Sequence, residues 1–262
     1  MDDQRRLSFG GVADLYDHAR PSYPSALVDD VVAYAGAAGS DTGRALEVGA
    51  GTGKATVLFA DRGLSVLAIE PSAEMAEVAR RNCAGYENIT IEQIEFERWR
   101  AARNDFRLVF SGQAWHWIAP EVRYVAARAA LEEGGALAAF WNVPDWSACE
   151  LREELGEVYR RHGRAGDTDD PLNPASRSGE EDWAGEIAGA SGFVGPEVRR
   201  YRWDTDYATA EYLDLLGTHS ACVVLDAPER NGLLSDIAAV IDAHGGSFRM
   251  HYMTLLCLAR AS

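Results

Sequence analysis

Residues 44–53, Arg-Ala-Leu-Glu-Val-Gly-Ala-Gly-Thr-Gly, read as a short apolar strand that runs straight into a turn with glycine at every second position. A helix-forming stretch, residues 54–63, follows at once and ends at Gly63. Glycine tolerates positive φ and lets the backbone approach a ligand closely. A strand, a glycine turn and a helix in immediate succession are the opening unit of an open α/β sheet. Such a sheet binds ligands outside the carboxyl ends of its strands. The turn amides and the helix N-terminus are expected to face that crevice. Three ligand classes use turns of this kind. A dinucleotide fingerprint needs a third glycine where Lys54 stands. A phosphate-binding P-loop needs glycine where Val48 stands and a hydroxyl residue where Ala55 stands. Purely structural tight turns also use glycine, so the turn needs a second, independent residue beside it.

That residue is Glu70. It ends a second apolar strand, residues 65–70, and precedes Pro71-Ser72 at the start of a helix over 71–82. A carboxylate at a second strand end can accept hydrogen bonds from both hydroxyls of a ribose. The alternative is a surface acid stabilised by the helix N-terminus. The same rhythm continues along the chain. Strands are expected at 88–93, 106–111 and 136–142, with a helix over 121–135 that stops at Gly134-Gly135 and an earlier helix within 22–36 entered through Pro24. Beyond 142 the pattern loosens. Helices are expected over 147–163, 208–216 and 228–243, a mobile loop over 164–182, a sixth strand over 197–204 and a long last strand over 248–260. The expected division is an N-terminal helical segment (1–39), a ligand-binding core (40–145), a variable covering insertion (146–220) and a C-terminal helix and strand that complete the sheet (221–262).

Two motifs carry a family resemblance. Glu-Val-Gly-Ala-Gly-Thr-Gly (47–53), followed by Ile-Glu-Pro-Ser-x-x-Met (69–75), resembles motifs I and II of class I S-adenosylmethionine-dependent methyltransferases over residues 40–142. The resemblance implies a Rossmann-like α/β fold, with a seven-stranded, mostly parallel sheet, helices on both faces and a helical cover over the site. It implies S-adenosylmethionine as cofactor, with Glu47 near its methionine end. Gly49, Ala50 and Gly51 pass close to it, Glu70 and Pro71 lie at its ribose, and Met75 lies near its adenine. Met75 reads equally as an ordinary helix-core methionine. The looser segment Ile94–Trp99 implies Glu95 and Phe96 beside the adenine, although acids here could equally be solvated surface.

Ser111-Gly112-Gln113-Ala114-Trp115-His116-Trp117 resembles the corresponding segment of small-molecule methyltransferases related to trans-aconitate and quinone-biosynthesis methyltransferases. The likeness places Ser111 and Gln113 at the cofactor, and Trp115, His116 and Trp117 at the acceptor. His116 is a candidate general base, because histidine titrates near neutral pH; the other reading is a histidine that fixes the loop by hydrogen bonding. Phe9 and the segment Tyr16–Pro24 resemble the family's opening. Tyr16 and Arg20 are expected to reach the cofactor carboxylate, and the other reading is a surface helix. Eight residues of 146–220 (Trp146, Tyr159, His162, Trp183, Phe193, Trp203, Tyr207 and Tyr212) suit a cover for an apolar, ring-bearing acceptor, or simply anchor the insertion. His219, Arg249, His251 and Tyr252 are further candidates for the pocket.

The net charge of −16 argues against a nucleic-acid backbone or an anionic membrane as partner. No basic stripe offsets it, and no N/D-P-P-Y/F motif follows the fourth strand. The expected partner is a small molecule, and oligomeric state is left open. Cys83, Cys149, Cys222 and Cys257 have no metal-ligand spacing, so no metal is expected and reduced thiols fit a cytoplasmic protein. The N-terminus lacks an apolar signal core. Other readings of the same motifs are a methyltransferase fold recruited for a cyclisation, a nicotinamide oxidoreductase, which Lys54 disfavours, and a non-catalytic cofactor-binding module.

Overall fold

A computed structural model of the chain describes residues 13–37, 43–102, 104–167, 169–173 and 183–262. Seven strands form one sheet in the order β3-β2-β1-β4-β5-β7-β6. They are β1 (Arg44–Val48), β2 (Ser65–Glu70), β3 (Ile89–Gln93), β4 (Phe106–Gly112), β5 (Leu131–Pro144), β6 (Phe193–Ala208) and β7 (Ser247–Ala261). The pairs β1–β2, β2–β3, β1–β4 and β4–β5 are parallel, and β7 runs antiparallel to both neighbours. The chain builds outward from β1 to β3, then returns to lay β4 on the other side of β1. The reversal opens a crevice beyond the carboxyl ends of β1 and β4, where ligands of such sheets bind.

The helices are α1 (Ala13–Ala19), α2 (Ser25–Ala35), α3 (Lys54–Ala60), α4 (Ala73–Asn82), α5 (Pro120–Ala130), α6 (Arg152–Arg161), α7 (Trp183–Gly189), α8 (Thr209–Gly217), α9 (Ser220–Val223) and α10 (Ala227–Ala243). Local chemistry sets their ends. Gly36 closes α2 in the left-handed conformation, and the Ser72 hydroxyl caps α4 by accepting from the Met75 amide. Two apolar layers cover the sheet faces, one built on Leu46, Val109, Leu137 and Trp141, the other on Phe59, Leu108, Phe110 and Phe140. A third cluster, around Trp146, Tyr159, Tyr212 and Phe248, holds the cover to the sheet.

Several boundaries differ from the sequence expectation. α5 ends at Ala130, before the paired glycines, because fully buried Leu131 already pairs with Phe106 in the sheet. Sheet pairing there overrides helix propensity. β6 begins four residues early, behind a register shift between Val194 and Glu197. Residues 146–220 therefore supply the edge strand β6 as well as helices of the cover. Of the expected loop at 164–182, residues 164–167 and 169–173 fold as successive turns. Phe9, residue 168 and residues 174–182 lie outside the described residues. Among the described residues, no helix is long and apolar enough to cross a membrane.

Candidate active site

The glycine turn leaves β1 with Gly49, Gly51 and Gly53 at φ of +74°, +57° and +87°. A side chain at Gly49 would put its Cβ 2.4 Å from the Ala114 Cβ, so this turn and the loop after β4 touch. At Gly51 a Cβ would meet nothing within 4 Å, and its bare Cα borders the cavity described below. The turn amides are not free for a ligand as the sequence suggests. Those of Gly49 and Ala50 donate to the Ile69 carbonyl, and that of Gly51 donates to Glu70 Oε2 at 2.8 Å. The turn folds back over the end of β2 and consumes its own donors. It offers no amide nest at these positions for a phosphate.

Glu70 is 7% exposed, and its second oxygen accepts from the Ser72 amide at 2.9 Å. Two fixed amides aim this carboxylate into the crevice. Glu47 lies one strand over and is 1% exposed. Its Oε2 accepts from the Thr56 hydroxyl at 2.5 Å. Burial pushes its pKa up to about 8; the Thr56 bond opposes the rise and the nearby Glu70 adds to it. Glu47 thus holds a proton near neutral pH and would ionise against an incoming cation.

A single cavity of about 400 Å³ joins these groups to the loop after β4. Of the expected residues, Tyr16, Arg20, Glu47, Gly49, Ala50, Gly51, Glu70, Pro71, Met75, Phe96, Gln113, His116 and Trp117 line it. Three do not. Ser111 is buried and donates to the Val48 carbonyl, stitching β4 to the end of β1. Trp115 is 0% exposed and packs edge-on against Tyr124, so it belongs to the core. Glu95 pairs with Arg98 at 3.0 Å, while its neighbours Ile94 and Glu97 reach the cavity instead.

Gln113 has a φ of +61°, the only positive φ outside glycine among the described residues. Its Nε2 donates to the Asn142 carbonyl at 3.2 Å. A left-handed glutamine costs on the order of 1–2 kcal/mol, which the surrounding loop must hold. His116 Nδ1 accepts from the Trp141 indole N–H at 3.2 Å. An indole nitrogen can only donate, so the imidazole proton sits on Nε2. Burial, and then the Arg123 charge, lower the His116 pKa to about 4. With Nδ1 occupied in this way, Nε2 is a donor, in contrast to the general base expected of His116. Arg20 donates through Nε to the Thr218 hydroxyl at 2.8 Å and through Nη2 to the Thr218 carbonyl at 3.1 Å.

Sequence reasoning missed several lining residues, among them Tyr23, Asn142 and Asp169. His219 and Tyr252 do reach the cavity, whereas Arg249 and His251 pair with Asp206 and Asp204 on the exposed end of the β6–β7 ribbon. None of the eight residues of 146–220 lines it. Trp183 stacks on Trp141 with ring centres 4.7 Å apart, and Trp146, Tyr207 and Tyr212 pack around Phe248: these aromatics anchor the cover. Asp169 carries no local signal, since its partner, the His219 imidazole, is 50 residues away.

A methyltransferase domain model matches residues 45–135. An uncharacterized methyltransferase of Mycobacterium tuberculosis is 30% identical over 241 residues, covering 91% of this chain and 87% of its own. The chain belongs to the class I S-adenosylmethionine-dependent methyltransferases. A Saccharomyces cerevisiae protein assigned as an S-adenosylmethionine-dependent methyltransferase is 28% identical over 155 residues, 56% of this chain and 50% of its own. Among solved structures, a candidate type II methyltransferase of Anaeromyxobacter dehalogenans superposes with a TM-score of 0.62 at 21% identity, covering 92% of this chain and 97% of its own. The fold of this methyltransferase is thus shared along almost its whole length. Its cavity also suits a nucleoside ligand without phosphates: a spent amide turn, two buried acids and an apolar wall of Met75, Ile94 and Phe96.

Proposed function

We propose that the protein transfers a methyl group from S-adenosylmethionine to a small molecule, with both held in the cavity between the glycine turn and the loop after β4. The observation that carries this reading is that Glu70, Glu47 and His116 line one cavity. Glu70 would accept from the ribose hydroxyls, because the Gly51 and Ser72 amides fix its carboxylate at the cavity wall. Glu47 would face the cationic methionine end, and the Arg20 fork with the Tyr16 hydroxyl would hold its carboxylate. Met75 and Phe96 would pack against the adenine. When bound, the cofactor supplies a methyl group on a sulfonium, whose carbon–sulfur bond breaks in line as the bond to the acceptor forms.

The residues around the acceptor position, orient and exclude water. Trp117 and Tyr252, which line the cavity, would flank the acceptor, and His116 would present Nε2–H as a donor to an acceptor oxygen or nitrogen. Orientation alone can supply on the order of 7–11 kcal/mol of such a barrier. The limited volume and the net charge of −16 support a small acceptor over a nucleic acid or a membrane surface. Titration calorimetry tests the cofactor assignment. Saturable binding of S-adenosylhomocysteine without binding of NADH is expected, and the reverse pattern would return the chain to the oxidoreductases.

A further inference from the structure

We infer that His219, oriented by Asp169, is the general base that takes a proton from the acceptor, and that the acceptor therefore presents an O–H, N–H or S–H to be methylated. This rests on the methyl-transfer reading above. His219 stands at the N-cap of α9 and lines the cavity together with Asp169, Ser220 and Leu215. Its Nδ1 lies 2.5 Å from Asp169 Oδ1. An ionised carboxylate only accepts, so Nδ1 carries the proton and Nε2 keeps its lone pair. The two cavity histidines thus have opposite tautomers. His116 has its lone pair occupied by an indole N–H and can only donate, while His219 has its proton occupied by a carboxylate and can only accept.

The charges around the pair keep it in that state. Burial raises the Asp169 pKa, yet His219, with Arg20 and Arg164, holds the carboxyl below its ordinary range. For His219, burial and then the Arg20 guanidinium lower the pKa from the ordinary 6.5, and Asp169 opposes them. Among the described residues, Tyr159 from α6, Tyr212 from α8, Cys222 from α9 and Asp167 and Asp170 from the turns before Asn173 also lie near the pair. The pKa values of all three uncharged groups are raised by burial first, so they add no charge near neutrality. The imidazole is accordingly neutral at pH 7, with its lone pair available. As the acceptor heteroatom bonds to the methyl carbon, its proton passes to Nε2, and the imidazolium pairs with Asp169 until the proton leaves to solvent. Asp169 is a positioning residue in this step.

The first test needs no acceptor. Two-bond nitrogen–proton NMR on the full chain labelled with 15N-histidine, saturated with S-adenosylhomocysteine at pH 8, should show the Nδ1–H tautomer for His219 and the Nε2–H tautomer for His116. Signals are assigned by their loss in H219Q and H116Q. An Nε2–H tautomer at His219 overturns the inference. The second test follows methyl-labelled S-adenosylmethionine with phenol, thiophenol and benzylamine as acceptors. H219Q should lower turnover on the order of 10²- to 10⁴-fold while S-adenosylhomocysteine affinity stays within twofold. Unchanged turnover would refute the role. D169A should move the acid limb of the pH–rate profile to lower pH, because the carboxylate that raises the His219 pKa is gone; a merely structural strap would leave that limb in place. If the wild-type protein methylates none of the three probes, the failure counts against the acceptor chemistry proposed above, and the His219 tautomer alone decides the assignment of the base.

Discussion

Glu47→Gln separates a buried acid that answers a cation from one that only fills space. The wild-type carboxyl ordinarily ionises at 4.5 and here at about 8. Charging it in place costs on the order of 5 kcal/mol more than in water, at 1.36 kcal/mol per tenfold. At pH 7 roughly one molecule in ten is ionised. A ligand whose ammonium requires the carboxylate selects that minority and releases a proton from the rest. The apparent affinity for S-adenosylhomocysteine should therefore rise roughly fiftyfold, about 2.3 kcal/mol, between pH 6 and pH 8. At pH 7, calorimetry in two buffers of different ionisation enthalpy should show close to one proton released per ligand bound. The side-chain amide of the variant has no proton to lose, so its affinity should be flat over the same range and its binding should release none. A flat wild-type profile, or an equally steep one in the variant, would refute the claim that Glu47 ionises against the cofactor.

Glu70→Ala should weaken S-adenosylhomocysteine at least tenfold, about 1.4 kcal/mol, in a variant whose circular dichroism is unchanged; equal affinity would remove Glu70 from the ribose. Gly49→Ala combines a left-handed φ with a Cβ placed 2.4 Å from Ala114. It should lose about 2 kcal/mol in urea unfolding, and an unmoved midpoint would contradict the contact. Arg123 is buried, pairs with Glu186 and donates to the Trp115 and Ile118 carbonyls. Arg123→Met should destabilise by about 2 kcal/mol, discounted for the part-exposed Glu186. It should also raise the His116 pKa above about 4, since the arginine charge contributes to lowering it; NMR titration showing no rise would exclude that coupling.

The glycine turn and Glu70, which share one cavity wall, were legible in the sequence because their constraints are local. Positive φ at three alternate positions demands glycine, and a strand ending in an acid before Pro71-Ser72 announces both a helix cap and a fixed carboxylate. One-residue placements were harder. Glu95 and Glu97 are indistinguishable by type, and the turn over 94–98 decides which faces the cavity. Trp115 and Trp117 flank one histidine, yet the short 3₁₀ turn buries the first and leaves the second at the wall. Roles set by distant partners were out of reach. The tautomer of His116 depends on Trp141, 25 residues away, and that of His219 on Asp169, 50 residues away. The start of β6 was not legible because a register shift between Val194 and Glu197 interrupts its pairing with β7. The charged residues at every second position along that strand, Arg200, Arg202, Asp204 and Asp206, likewise read as solvated surface.

The central claim is methyl transfer to a small molecule. It is tested most directly by incubating the protein with methyl-labelled S-adenosylmethionine and a low-mass metabolite extract, then separating small molecules from protein and nucleic acid. Label in the small-molecule fraction, matched one to one by S-adenosylhomocysteine and lost in Glu70→Ala, is the expected result. Label that stays on the cofactor, or that appears in the macromolecular fraction, would contradict it.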